Sequence, residues 1–148
     1  GHLQTNKVKY IIDSVSMIQS VDSIKLAEEI DRHAGRIGKC QDILIEVNIG
    51  GEKSKSGIAA SGLEELVYQV SELENIRVRG LMAIPPAGSS ERFLFDMQKL
   101  YIDISQKKIH NISMDYLSMG MSGDYEAAIK YGANMVRIGR GLFGPRNY

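Results

Sequence analysis

Five runs rich in β-branched and apolar residues, separated by segments of helical period, constrain this chain most. They are Val15 to Val21, Ile43 to Ile49, Val78 to Ile84, Tyr116 to Met119 and Met135 to Ile138. Each reads as a strand. They begin far enough apart to hold a crossover helix of about a dozen residues or more between parallel neighbours. Ile24, Ala27 and Ile30 line one helical face after Asp22, which is predicted to cap it. Ser61 with Glu64 makes a capping-box pattern ahead of Leu63, Leu66, Val67 and Val70. Phe93, Met97, Leu100, Tyr101 and Ile104 form a third apolar stripe, assigned to the core. The segment EAAIKYG is a further helix, stopped by Gly132.

The β–α alternation runs through residues 1–148 without a linker or low-complexity stretch, which predicts one α/β domain. The architecture is either a doubly wound sheet or part of a (β/α)8 barrel. A complete barrel needs at least ~200 residues, so about five parallel strands fall short of closure. Two raw sheet edges would remain, and self-association or strand swapping is expected.

Composition removes several function classes. The net charge is zero and no basic face stands out, which argues against nucleic acid or an anionic membrane as partner. No apolar run approaches the ~20 residues needed to span a bilayer. The polar, basic N-terminus does not read as a signal peptide. A single cysteine, Cys40, excludes an intrachain disulfide and fits a reducing cytoplasm; it is expected to be a small buried residue before a strand. Asn111-Ile112-Ser113 matches a glycosylation sequon and is read as coincidence.

Chemistry concentrates between Tyr116 and Gly144. Two apolar runs there end in small-residue turns, Ser118-Met119-Gly120-Met121-Ser122 and Gly139-Arg140-Gly141. Such turns at the carboxyl ends of parallel strands present backbone N–H groups and hydroxyls, which suits a phosphate. Ser122 also reads as the N-cap of the following helix, with Asp124 and Glu126 in its first turn. By alternation Arg137 faces away from Val136 and Ile138, so it either meets an anionic or heteroaromatic ligand or pairs with a strand carboxylate such as Glu46. Asn48, at the end of IEVNI, either faces a pocket or serves a local turn. The Gly50–Gly57 loop lacks the order of a P-loop. His2, His33 and His110 have no metal-ligand spacing, and there is no G-x-S-x-G elbow.

Read together, HLQTNK, EKSKSG, GLMAIPP, LSMGMSGD followed by EAAI, and VRIG with FGPRNY resemble the pyridoxal phosphate homeostasis proteins, relatives of the alanine racemase N-terminal barrel. The resemblance implies the C-terminal portion of a (β/α)8 barrel that holds pyridoxal 5′-phosphate (PLP) at its mouth. It implies that Ser118, Gly120, Ser122, Gly139 and the backbone at Arg140 cradle the phosphate. Arg137 would face the pyridine nitrogen, and Asn48 and Met82 would line the pocket. The family often carries a small hydroxyl residue where this chain has Arg140. The match starts at the end of the family's third strand, so the strand bearing the Schiff-base lysine is expected to be missing. Lys7, Lys53 and Lys55 lie in polar segments and do not replace it.

The resulting expectation is a cytoplasmic PLP carrier, monomeric at full length, that delivers cofactor to PLP-dependent apoenzymes and turns over nothing itself. The short tail ending at Tyr148 is expected to leave no second domain with an opposing acid or base. The alternatives are a racemase-like PLP enzyme, or a phosphosugar- or nucleotide-binding α/β module.

Overall fold

Parallel strands cannot be joined by tight turns, so each long strand here hands the chain to a helix or a long loop before the next. The computed structural model describes residues 1–88 and 91–147; Tyr148, the last residue of FGPRNY, lies outside them. A 3-10 turn, Thr5–Tyr10, precedes β1 (Met17–Val21), α1 (Ile24–Arg36) and β2 (Gln41–Asn48). There follow β3 (Ile58–Ala59), a 3-10 turn (Ala60–Gly62), α2 (Leu63–Ser71), β4 (Ile76–Ala83) and α3 (Arg92–Gln106). The chain then forms β5 (Ile112–Ser118), α4 (Tyr125–Lys130) and α5 (Arg140–Phe143). The strand order is β1-β2-β4-β5, all parallel, with the two-residue β3 beside the end of β2.

The helices cover one face of this sheet. Leu26, Ala27, Ile30 and Ala34 of α1, Leu63, Leu66, Val67 and Val70 of α2, and Leu94, Met97 and Ile104 of α3 pack on Ile43, Ile45, Val47, Val78 and Leu81. The apolar stripes read from the sequence therefore do what their period demands. The caps differ. Ser23, extended at φ −151°, caps α1 by accepting from Leu26 N at 3.2 Å, one residue later than expected. Asp22 instead accepts from Gly57 N at 3.0 Å. The Ser61–Glu64 box does not form, because Ser61 sits in a 3-10 turn that runs straight into α2 and Gly62 takes the cap position. Cys40 is exposed rather than buried.

The fifth expected strand, Met135 to Ile138, is not a strand: one parallel bridge, Ser118 to Met135, is all the ladder that forms. Leu117 O accepts from both Asn134 N and Met135 N, and Gly120 O accepts from Arg137 N at 2.9 Å. This segment follows β5 into its terminal turn and has no strand beyond it among the described residues. A single-sided edge segment lacks the second row of bonds that would hold it straight. β5 conversely starts four residues before the expected Tyr116, because the polar Ser113 and the exposed Asp115 interrupt the apolar pattern. Ser113 donates to Asp115 at 2.8 Å, and Asp115 accepts from Arg79 at 2.7 Å.

Curvature is set by contacts across the uncovered face. Ser118 on β5 donates to Gln19 Oε1 on β1 at 2.8 Å, across 99 residues of sequence. In a flat sheet those strands would stand about 14 Å apart, three steps of ~4.8 Å, beyond the reach of both side chains. The sheet is therefore curled, as in part of a barrel. The curl passes through Gly80, where both β4 ladders shift register and where an added Cβ would lie 1.8 Å from Tyr116 O. Gly80→Ala is expected to cost about 3 kcal/mol or more, since backbone must move to admit the methyl. Urea denaturation of the variant checks this; a loss below 1 kcal/mol, on the order of a surface substitution, contradicts it.

Candidate functional site

The turns at the carboxyl ends of β5 and of the Met135 segment meet each other. Ser122 Oγ accepts from Gly141 N at 2.8 Å, so the hydroxyl joins the two small-residue turns instead of capping α4, whose N-cap is Asp124. Asp124 Oδ1 accepts from Met121 N at 2.8 Å and closes the first turn. Gly120 is fixed by packing: at φ +100° its missing side chain leaves room for Ala128 Cβ and Tyr125 Cα, which would lie at 2.8 and 3.0 Å from a Cβ. Gly139, the residue before α5, faces open space, and Arg140 is exposed. Gly141 N is taken by Ser122, and Leu142 N and Phe143 N by Gly139 O, so the turns offer the Arg140 N–H beside a hydroxyl, with room above Gly139.

Arg137 turns inward. Its Nη1 donates to Ser118 Oγ at 2.5 Å and its Nη2 to Ala83 O at 3.0 Å. Burial pulls its pKa down from the ordinary value, opposed by the negative charges of Glu46 and Asp124; a guanidinium stays cationic throughout. It makes no ion pair with Glu46 among the described residues. Ser118 is wholly buried, with its proton given to Gln19 and a lone pair to Arg137. Met82, buried at 4% exposure, stands in register with Ser118.

Of the two roles open to Asn48, the structure gives the local one. Its Nδ2 donates to Glu52 O at 2.8 Å, and its Oδ1 accepts from Glu52 N at 3.3 Å. The amide shapes the loop. Lys55 leans on Glu52 at 3.4 Å, and Lys53 is exposed.

Sequence reasoning weighed Glu46 only as an ion-pair partner. Its side chain is 3% exposed; Oε1 accepts from Ser56 Oγ at 3.1 Å, while Oε2 has no partner. Burial pushes its carboxyl pKa up, the Ser56 hydrogen bond opposes this, and the nearby Asp22 charge adds to the rise. Glu46 and Asp22 line a cleft of about 560 Å³ with His2, Ser54, Lys55 and Ile84. The signal available in the sequence was a lone carboxylate inside the apolar run ILIEV.

The alanine racemase N-terminal domain family matches residues 1–147. This chain belongs to that family. Its match to the pyridoxal phosphate homeostasis protein of Aquifex aeolicus is 43% identical over 152 aligned positions, covering all of this chain and 66% of the relative. The chain therefore spans a little under two thirds of the length of such curated relatives. Among solved structures, a protein of unknown function from Bifidobacterium adolescentis superposes with a TM-score of 0.92 at 36% identity, over 97% of this chain and 58% of that one. PipY of Synechococcus elongatus, solved with PLP bound, superposes with a TM-score of 0.87 at 32% identity, over 97% of this chain and 68% of PipY. The resemblance drawn from the motifs is borne out, and the curled open sheet is the family's barrel in part.

Two variants test the wiring of this candidate site. Ser118→Ala is expected to lose about 1–3 kcal/mol in urea denaturation, because Gln19 and Arg137 are then left short of a buried partner. A loss within error would mean water replaces the hydroxyl. Glu46→Gln tests the raised carboxyl. A carboxyl whose folded pKa exceeds its unfolded one favours folding at acid pH and loses that advantage as pH rises through the folded pKa. The Gln variant is therefore expected to be more stable than the parent near neutrality, with the gap closing toward pH values below the ordinary carboxylate range. Denaturation at both pH values reads the difference, and a pH-independent gap contradicts the assignment.

Proposed function

We propose that this chain binds PLP through its phosphate at the joined turns, as the C-terminal part of a cytoplasmic carrier with no turnover of its own. The observation that carries the reading is the Ser122–Gly141 hydrogen bond, which unites two turns beside an inward-facing cation. Two N–H-bearing turns and a hydroxyl, with open space over Gly139, fit a phosphate dianion. The names of the homeostasis relatives and the PLP held by PipY support the choice of cofactor.

In this reading Ser122 and the backbone of Gly120, Gly139 and Arg140 hold the phosphate, while Arg137 lies on the ring side. Ser118 acts through Arg137, fixing the guanidinium with its buried hydroxyl. Asn48 acts further out, by holding the 48–57 loop. Bound PLP supplies an electron-withdrawing ring, and a permanent cation beside its pyridine nitrogen disfavours protonation there and weakens that pull. Such a ring is suited to storage and delivery to PLP-dependent apoenzymes more than to rapid turnover. No helix among the described residues is long and apolar enough to cross a membrane. The unpaired outer edges of β1 and of the Met135 segment favour self-association of this chain alone.

Equilibrium dialysis tests the reading. PLP is expected to bind reversibly, pyridoxal without the phosphate at least about tenfold more weakly, and Ser122→Ala to lose roughly 5- to 30-fold. Borohydride reduction followed by peptide mass mapping is expected to find no single modified lysine. Equal affinity for PLP and pyridoxal would sink the phosphate assignment, and one stoichiometric lysine adduct would replace the non-covalent site by a covalent one.

A further inference from the structure

The guanidinium of Arg137 is held at both arms of its fork, with unequal firmness. Nη2 donates at 3.0 Å to Ala83 O, a backbone atom fixed by β4. Nη1 donates at 2.5 Å to Ser118 Oγ, an atom on a rotatable bond. A serine side chain has several staggered positions, and its proton turns toward whatever acceptor it meets. Ser118 is wholly buried, so bulk water does not orient it. Gln19 on β1 does: its Oε1 accepts the Ser118 proton at 2.8 Å, and no other donor claims that oxygen among the described residues. Nor does the Ser118 hydroxyl bond to anything there besides Gln19 and Arg137. With the proton committed to Gln19, the lone pairs of Oγ are left to the guanidinium.

This relay has a fixed direction. An amide oxygen only accepts, so Ser118 must donate to Gln19 and accept from Arg137. An apolar side chain at position 19 would strand the buried proton and free the rotor, and the guanidinium would then pivot about Ala83 O alone. Charge matters as much as reach. Arg137 makes no ion pair among the described residues, and the neutral amide of Gln19 orients it without changing that. A carboxylate of equal length would accept the proton as well, but its negative charge, a single hydroxyl away from the cation, would cancel part of the cation's field. A site group is held only as well as the groups behind it are held. We propose that Gln19 is a positioning residue of the ligand site: through Ser118 it fixes the direction of the Arg137 cation, and being neutral it leaves that charge whole. The positioning stands without any ligand. Its consequence rests on the PLP reading, in which the undiminished cation keeps the pyridine nitrogen unprotonated.

The ligand-free full chain tests the positioning first, by nitrogen–proton correlation spectra of the arginine side chains. Arg137 is expected to show separate Nη1 and Nη2 signals in the parent, because both nitrogens are bonded. Gln19→Leu is expected to merge them, and Gln19→Glu, which restores an acceptor of the same length, to keep them apart. Gln19→Asn, polar but shorter by a methylene, takes the place of the Leu variant if that variant does not fold. Separate signals in the Leu or Asn variant would overturn the proposal, and so would merged signals in the Glu variant. Ligands then distinguish positioning from general loosening. Inorganic phosphate should bind the Leu or Asn variant within about twofold of the parent, and PLP at least about fivefold more weakly. Equal losses for both ligands would mean general damage and would overturn it. The pyridine nitrogen of bound, nitrogen-labelled PLP is expected to titrate at higher pH in Gln19→Glu than in the parent; an unchanged titration contradicts the role given to the neutral amide. A parent that binds phosphate but not PLP would sink the cofactor reading, and the Arg137 spectra would still decide the positioning.

Discussion

The hydroxyl of Ser118 has one proton and no exposure to water, and much of the architecture turns on where that proton goes. Given to Gln19, it ties the last regular strand to the first; the lone pair it leaves free receives Arg137, whose other arm reaches Ala83 at the end of β4. Each such bond contributes only about 1 kcal/mol net, yet each is costly to leave unmade once water is excluded. The chain of bonds therefore holds the sheet in its curl. A flatter sheet would separate these groups and expose them without partners. Gly80 makes the same curl possible from the backbone side, by letting β4 and β5 approach where a methyl could not fit.

The uncovered face divides into two electrostatic regimes. Toward the amino ends of the strands, charges are matched: Asp42 accepts from Arg77 at 2.9 Å and Arg79 at 2.6 Å, and Arg79 also reaches Asp115. Arg77 and Asp115 are about half exposed while Arg79 and Asp42 are partly buried, so the ladder adds to register as well as to stability. Toward the carboxyl ends, opposite charges sit on the same face without meeting. Arg137 and Glu46 influence each other electrostatically but form no ion pair, and Glu46 keeps a buried oxygen unpartnered.

Membership of the alanine racemase N-terminal domain family gives this division a context, since the solved relatives superpose over nearly the whole chain. The turns at Ser122 and Gly139–Gly141 are anchored to each other by the Ser122–Gly141 bond, within 19 residues of sequence. The cleft at Glu46 is different. It is assembled from β2, the residues after β1 and after β4, the 52–57 loop and the N-terminus, and five separate parts of the chain must fold before it exists.

That contrast also separates what was legible in the sequence from what was not. The succession of β1, α1, β2, α2, β4, α3 and β5 and the apolar faces of α1, α2 and α3 follow from period and residue type, which act over a few positions. The sequence could not decide that Asn48 spends its amide on its own loop, that Ser23 rather than Asp22 caps α1, or that the Met135 segment stays a frayed edge. It also gave no hint that Gln19 meets Ser118 across 99 residues, or that one oxygen of Glu46, Oε2, is left without a donor. Those outcomes depend on competition among partners that only the folded sheet brings within 3 Å or so of one another. Local chemistry determined which groups were available; long-range geometry determined which of them were used, and which were left open.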